Sequence, residues 1–242
     1  MPDWGLGRRA PQNWQHVEKY PALRMATGPA VCERTLPLSS RWRSVYDQHD
    51  TPRCVAYSVS QERSLSERFT FDADWLYAEC KQRDGIPNLD GTYVSIAYDV
   101  LREVGHRQVR IGASREPDPR FGVERFEWAR TIDEIRHAIE AGFGVVTGTN
   151  WYRKMFTPEY RNGMYWLPSG TADIGYLDGG HAYLLNRVSD RYEAFATPNT
   201  WGRADRRWNP GEEGWPVTMV PYSLMERLLR EDGEAVLVVD RV

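Results

Sequence analysis

The sequence predicts an α+β fold, with helices gathered early in the chain and strands late. Apolar residues recur at helical spacing as far as Gly142, and beyond it they fall into short, β-rich runs. Elements segregated in this way argue against alternating βαβ units. The chain is also large enough to bury a core. Its 242 residues, 41% hydrophobic and 27% charged, suit one sizeable domain or two tightly joined small ones and argue against global disorder.

Taken in order, residues 1–35 are rich in Pro, Trp and Arg (Pro2, Trp4, Pro11, Trp14, Pro21) without a sustained period, which reads as an extended arm. Thr51-Pro52 then signals a helix start, because a threonine hydroxyl caps free N–H groups and proline tolerates the first helical position. A second helix is expected from Asp72 to Gln82 around Trp75, Leu76 and Ala78, stopping near Gly85. A third follows Gly91-Thr92, with Val94, Ala97, Val100, Leu101 and Val104 in phase and Gly105 closing it. The fourth opens on the capping box Thr131-x-x-Glu134, uses Ile132, Ile135, Ala138 and Ile139, and ends at Gly142. Strands are expected at 145–147, at 182–188 and 191–196 as a hairpin turning at Ser189-Asp190, and at 215–220 and 235–240. A short helix is expected over 224–229.

Composition removes several classes of function. A net charge of -3 lacks the basic surplus of a nucleic-acid binder. No apolar run approaches the ~18 residues that cross a bilayer. Met1-Pro2-Asp3-Trp4-Gly5 lacks the basic start and apolar stretch of a signal peptide, so a cytoplasmic location is expected, with release by lysis or a place in a virion left open. The three cysteines, Cys32, Cys54 and Cys80, form no Cys-x-x-Cys pair and suit free thiols in a reducing compartment. No metal or organic cofactor is expected.

Cys54 is the cysteine with chemistry around it. If Thr51 caps the helix, the thiol lies in the first turn, where unpaired N–H groups and the positive end of the helix dipole favour a thiolate; Arg53 pushes the same way if it points inward. A nucleophilic thiol needs an imidazole and something to orient it. His181, in Gly179-Gly180-His181-Ala182, opens a buried strand behind two glycines. His49, in the turn before the helix, stays an alternative. Eighteen residues past His181, after a strand and its return, Asn199 comes back into reach, so its carbonyl can accept the imidazole N–H while Trp201 shields the bond.

These motifs resemble the papain-like cysteine proteases: Asp47-Gln48 six residues before Cys54, then Cys54-Val-Ala-Tyr-Ser, Gly180-His181-Ala182 and Asn199-Thr-Trp-Gly. The cysteine-to-histidine and cysteine-to-asparagine separations, 127 and 145 residues, lie near the ~130–150 of that family. The likeness covers residues from about 36 to 242. It implies a two-lobed fold, a helical lobe over 36–130 and an antiparallel β lobe over 131–242, with the cleft between them. It also implies roles: Cys54 as nucleophile, His181 as base and then acid, Asn199 as orienter, Gln48 and the Cys54 N–H as oxyanion donors. Trp201, Gly180, Ala182, Arg53, His49 and Gly91 would border the substrate.

Departures from the pattern fall around the nucleophile. Thr51-Pro52-Arg53 replaces the family's Cys-Gly-Ser, Val55 its tryptophan and Thr200 its serine, and His49 stands where glycine follows the glutamine. Arg53 at the cleft edge would favour acidic substrate groups, and Gly91 is the weak counterpart of the glycines that bind substrate backbone. The arm is too short for the family's inhibitory prodomain. The implied function is a cofactor-free cysteine peptidase acting on a peptide or protein. Competing with it are a thiol amidase or acyltransferase acting on peptidoglycan or other amides, and a silent papain-like structural module.

Overall fold

The structure, a computed structural model, describes residues 6–10, 31–36, 46–67, 69–109, 119–201 and 218–239. Its helices are α1 (Cys54–Glu67), α2 (Ala73–Lys81), α3 (Val94–Glu103), α4 (Ile132–Ala141) and α5 (Tyr222–Arg230). Side-chain capping explains the start of two of them. Asp72 accepts from the Trp75 N–H to start α2. Thr131 and Glu134 close a complete capping box on α4, and Gly142 ends that helix at φ 102°, where a side chain would be strained. Among the described residues, no helix is long and apolar enough to cross a membrane.

The long antiparallel pair of β5 (Val145–Tyr152) and β8 (Leu177–Leu185) is the frame of the site. Its antiparallel register sets Thr149 opposite His181 and Asn150 opposite Gly180. With β4 (Phe126–Trp128) and β12 (Glu234–Val238) it forms a four-stranded sheet ordered β4-β12-β5-β8. Alternation along these strands separates two cores. Val146, Ala182, Leu184, Val236 and Val238 pack with α1 and α3 residues such as Val55, Val59 and Leu101. Val145, Tyr183, Leu185, Ala235 and Leu237 face the other way, toward α4, α5 and a second sheet.

That second sheet is six-stranded, ordered β1-β9-β10-β11-β7-β6. It comprises β1 (Glu33–Thr35), β6 (Glu159–Arg161), β7 (Met164–Trp166), β9 (Arg187–Ser189), β10 (Ala194–Thr197) and β11 (Thr218–Pro221). A small ribbon of β2 (His106–Arg107) and β3 (Arg120–Phe121) lies apart from both. One pairing breaks the expected antiparallel pattern, since β11 runs parallel to β7. The first strand of the hairpin expected at 182–196 is divided between the two sheets: β8 runs from Leu177 to Leu185, and β9 pairs with β10 across a turn through Asp190–Tyr192 to Glu193 at φ 46°. Residues 33–35, read as the end of the arm, are an edge strand on β9, and Cys32 is buried in the core beside them. The rest of the expected strand at 215–220, its first three residues, lies outside the described residues, as do most of the arm and residue 240.

Candidate active site

Helix α1 starts at Cys54, later than the Thr51-Pro52 signal suggested. The first helical carbonyl is that of Arg53, which accepts from the Tyr57 N–H at 3.1 Å. The Thr51 hydroxyl is turned the other way and donates to the Gln48 carbonyl at 2.5 Å, so it caps nothing. Cys54 still lies in the first turn, as expected, but it is wholly buried. Burial raises its thiol pKa, and the amide N–H groups of Ala182, Gly7 and Val55 together with the charge of Arg8 pull it only part of the way back. The dipole argument for a ready thiolate is therefore outweighed by desolvation in this arrangement.

Arg53 does not serve the sulfur either. Its guanidinium pairs with Asp74 at 2.7 Å and lies over the Tyr77 ring, so its charge is answered before it meets any acidic substrate group. His49 is exposed at φ 52°, its imidazole near Asp47, on the rim instead of beside the thiol.

His181 does not open its strand as expected but lies in the middle of β8, its imidazole fully buried. Its Nε2 lies 2.9 Å from Asn199 Oδ1. The Thr200 N–H donates to that same oxygen at 2.8 Å, which fixes the amide orientation and makes Nε2 the protonated nitrogen. Nδ1 is left with a bare lone pair and no hydrogen-bond partner. No hydrogen bond joins it to Cys54, although the next residue along β8, Ala182, directs its N–H at the sulfur. Trp201 stacks on the His181 ring (centroids 4.7 Å apart, 22° between planes) and Trp151 meets it edge-on at 4.8 Å. This dry, aromatic seat lowers the His181 pKa to about 4, against the upward pull of Asn199. Gln48 is buried nearby, its Oε1 accepting from Thr200 at 2.6 Å and its Nε2 donating to Thr51 O at 2.9 Å. Thus Thr200 couples the orienter of the imidazole to Gln48.

The segment 6–10 runs through the cleft. Arg8 N–H donates to Gly180 O at 3.0 Å on the β lobe, Arg9 N–H to Thr92 O at 2.9 Å, and Thr92 N–H to Gly7 O at 2.8 Å on the helical lobe. Glycines make the approach possible. A Cβ on Gly91 would stand 1.9 Å from Gly7 O, and one on Gly180 2.2 Å from Arg8 O. Gly91 and Gly180, expected to border a substrate, therefore border a strand of the chain itself.

Next to Gly7, the Arg8 side chain is buried against Gly148 and Glu234 of the four-stranded sheet. Its Nε lies 3.3 Å from Glu234 Oε1 with both side chains at most 2% exposed, and its Nη2 donates to Asp232 O at 2.5 Å. Burial pushes the Glu234 carboxyl up to about 7, against Arg8 and the Trp128 indole, which pull it down. Sequence reasoning missed both residues. The signal available for Glu234 was period two: it shares a strand face with Val236 and Val238, so a charge there points inward. Nothing local marks Arg8. Among the described residues, no group of three His, Cys, Asp or Glu side chains converges as a metal site would.

Comparison with known proteins places the fold. Xylellain, a cysteine protease from Xylella fastidiosa, superposes with a TM-score of 0.72 at 17% identity over 99% of this chain and 97% of its own. ProCathepsin B S9 from Trypanosoma congolense gives 0.66 at 13% identity over 98% and 86%. Procathepsin L2 from Tenebrio molitor larval midgut gives 0.65 at 12% identity over 99% and 79%. No family model and no curated protein matches the chain by sequence. The protein has the two-lobed α+β fold of the papain-like cysteine proteases.

Proposed function

We propose that the protein is a cysteine peptidase that hydrolyses peptide bonds through a thioester at Cys54. The observation that carries this reading is the His181 imidazole, held by Asn199 through Nε2–H with Nδ1 bare, on the strand whose next amide reaches the Cys54 sulfur. In the reaction the thiol proton passes to His181 Nδ1 as sulfur attacks the carbonyl carbon. The oxyanion takes donors from Gln48 Nε2 and the Cys54 N–H, a contribution of ~2.7–4 kcal/mol per donor at the barrier. His181 returns the proton to the leaving amine, and water, with His181 again as base, releases the acid and restores the thiol.

The covering segment supports a latent resting state, because a neutral thiol beside a neutral imidazole is what burial favours for both groups. Turnover then begins when residues 6–10 leave the cleft and water or substrate replaces them.

An epoxysuccinyl thiol-protease inhibitor, followed by peptide mapping, tests the assignment. Modification of Cys54 alone, lost in His181→Ala, is the expected result, together with cleavage of an unfolded protein substrate. Equal modification of Cys32, Cys54 and Cys80 would remove the case for an activated nucleophile. Digestion of peptidoglycan without cleavage of peptides would reassign the same residues to an amidase.

A further inference from the structure

Helix α2 carries Tyr77 and Lys81 one turn apart, and the chain beyond it, residues 84–91, folds back onto both. The Lys81 ammonium donates to Asp84 Oδ2 at 2.7 Å and to the carbonyls of Leu89, Ile86 and Gly91 at 2.8, 2.9 and 3.1 Å. Resting on the peptidase reading, we infer that Lys81 is a positioning residue. Its charge aims and polarises the Gly91–Thr92 peptide group, the donor that the helical lobe offers to a strand lying in the cleft.

Two consecutive peptide groups carry the connection. In a trans peptide group the carbonyl and the N–H point in opposite directions, so a bond at one end orients the bond at the other. The group joining Gly91 to Thr92 accepts from Lys81 Nζ and donates to Gly7 O at 2.8 Å. The group joining Asp90 to Gly91 donates to the Tyr77 hydroxyl at 3.2 Å and accepts from Arg9 Nε at 2.8 Å. Each has one end on α2 and the other on the segment 6–10. Residues 84–91 belong to no helix or strand, so their shape depends on these side chains. A cation at the carbonyl also draws electron density through the peptide group and makes its N–H a stronger donor. Little water screens it, since the Asp84 side chain is fully buried and that of Lys81 is 17% exposed. The residue type fits the task. Only three of the chain's 31 Lys and Arg residues are lysines, and a compact ammonium with three donors suits carbonyls converging from several directions better than a planar guanidinium.

The test reads the Thr92 amide in the full chain. In Lys81→Ala its proton resonance should move upfield and exchange about fivefold faster or more, the factor expected of one weakened hydrogen bond, while Val146 and Leu184 stay protected. Propylammonium, which replaces the missing end of the side chain, should reverse both changes, and 1-propanol should reverse neither. Lys81→Ala leaves Asp84 buried without its cation. Should it not fold, Lys81→Met/Asp84→Asn, which loses both charges together, should show the same change at Thr92. Kinetics separate positioning from mere folding. With Arg8→Ala in every chain, so that the segment is already loosened in the reference, loss of Lys81 should raise KM for an oligopeptide about fivefold or more. Turnover, kcat, should stay within about twofold, the mark of lost binding and not of lost chemistry. A Thr92 amide that stays put, or that loosens together with Val146 and Leu184, overturns the proposal. So does an equal response to propylammonium and 1-propanol, or a fall in kcat with KM unchanged. Failure of the peptidase reading looks different: no chain cleaves the oligopeptide, while the Thr92 amide still answers to Lys81 and to propylammonium.

Discussion

His181 and His106 are both wholly buried and both held neutral, but their surroundings give them different work. His106 Nε2 lies 2.8 Å from Ser60 Oγ, whose own hydrogen goes to Ala56 O at 2.7 Å, so the imidazole is the donor and Nδ1 stays bare. Phe71 stacks on the ring, and Arg63, Arg107 and Arg120 add to the burial that drives its pKa well below 6.5. His106 thus ties the β2–β3 ribbon to α1, and nothing near it resembles a reacting partner. Below pH 6.5 the unfolded chain takes up protons at both histidines while the folded chain resists, His181 down to about 4. Stability is therefore complete above that range and falls as pH drops through it, by about 1.4 kcal/mol per pH unit for each proton withheld. His106→Gln keeps a donor for Ser60 and removes one of the two titrations. Urea unfolding at pH 7.5 and 5.5 should show a smaller acid loss in the variant than in the parent. An identical loss in both would mean that His106 does not report on the fold. Along the chain, His106 is only the residue after a helix-ending glycine, because the stacking and the arginines that give it a role come from distant segments.

At the scale of elements, legibility follows whether the deciding interaction is local. Thr131, Glu134 and Gly142 lie within one helix, and the structure closes their box and their left-handed cap where the sequence expects them. Thr51-Pro52 carries an equally good local signal but sits in a tight turn with Gln48, whose carbonyl captures the Thr51 hydroxyl. The helix then starts two residues beyond Pro52. Strands β6 and β7 were invisible because neither is longer than three residues and β7 joins its sheet by a parallel pairing with distant β11. Catalytic candidates in ordered motifs were legible, whereas Arg8 and Glu234 lie 226 positions apart and share no pattern. The capping box allows a direct check at this scale. Thr131→Ala removes the acceptor of the Glu134 N–H and should lower unfolding free energy by about 1 kcal/mol in denaturant titration. Helix α4 packs Ile135, Ala138 and Ile139 into the core of the second sheet, so the loss should appear in the global transition. A melt that moves only a local probe on α4 would separate this helix from the cooperative unit.

Across the whole molecule, residues 6–10 are the one described segment that bonds to both walls of the cleft beside Cys54. Gly180 belongs to the β5–β8 pair, Thr92 to the entry of α3, and the segment joins them through backbone bonds of 2.8 to 3.0 Å. Because it is part of the same chain, its effective concentration at the cleft is of millimolar order, so any free ligand for the cleft competes with it at a disadvantage until the segment is loosened. What holds it apart from backbone is the buried Arg8 side chain and that of Arg9, whose Nε donates to Asp90 O at 2.8 Å, and that makes it separable from the fold beneath. The cores on either side of the four-stranded sheet are filled by residues outside 6–10, with only Leu6 packed at an edge. Hydrogen exchange distinguishes a cover from a structural strand. In Arg8→Ala the amides of residues 8, 9 and Thr92 should exchange together and at least about tenfold faster, while Val146 and Leu184 in the central ladder keep their protection. Joint loosening of residues 8, 9, 146 and 184 would show the segment to be an integral strand of the fold. No change at Thr92 would show that Arg8 does not hold it. Independent release at 8, 9 and 92 is the behaviour a removable cover requires. It would put the opening of the cleft under the control of one buried ion pair.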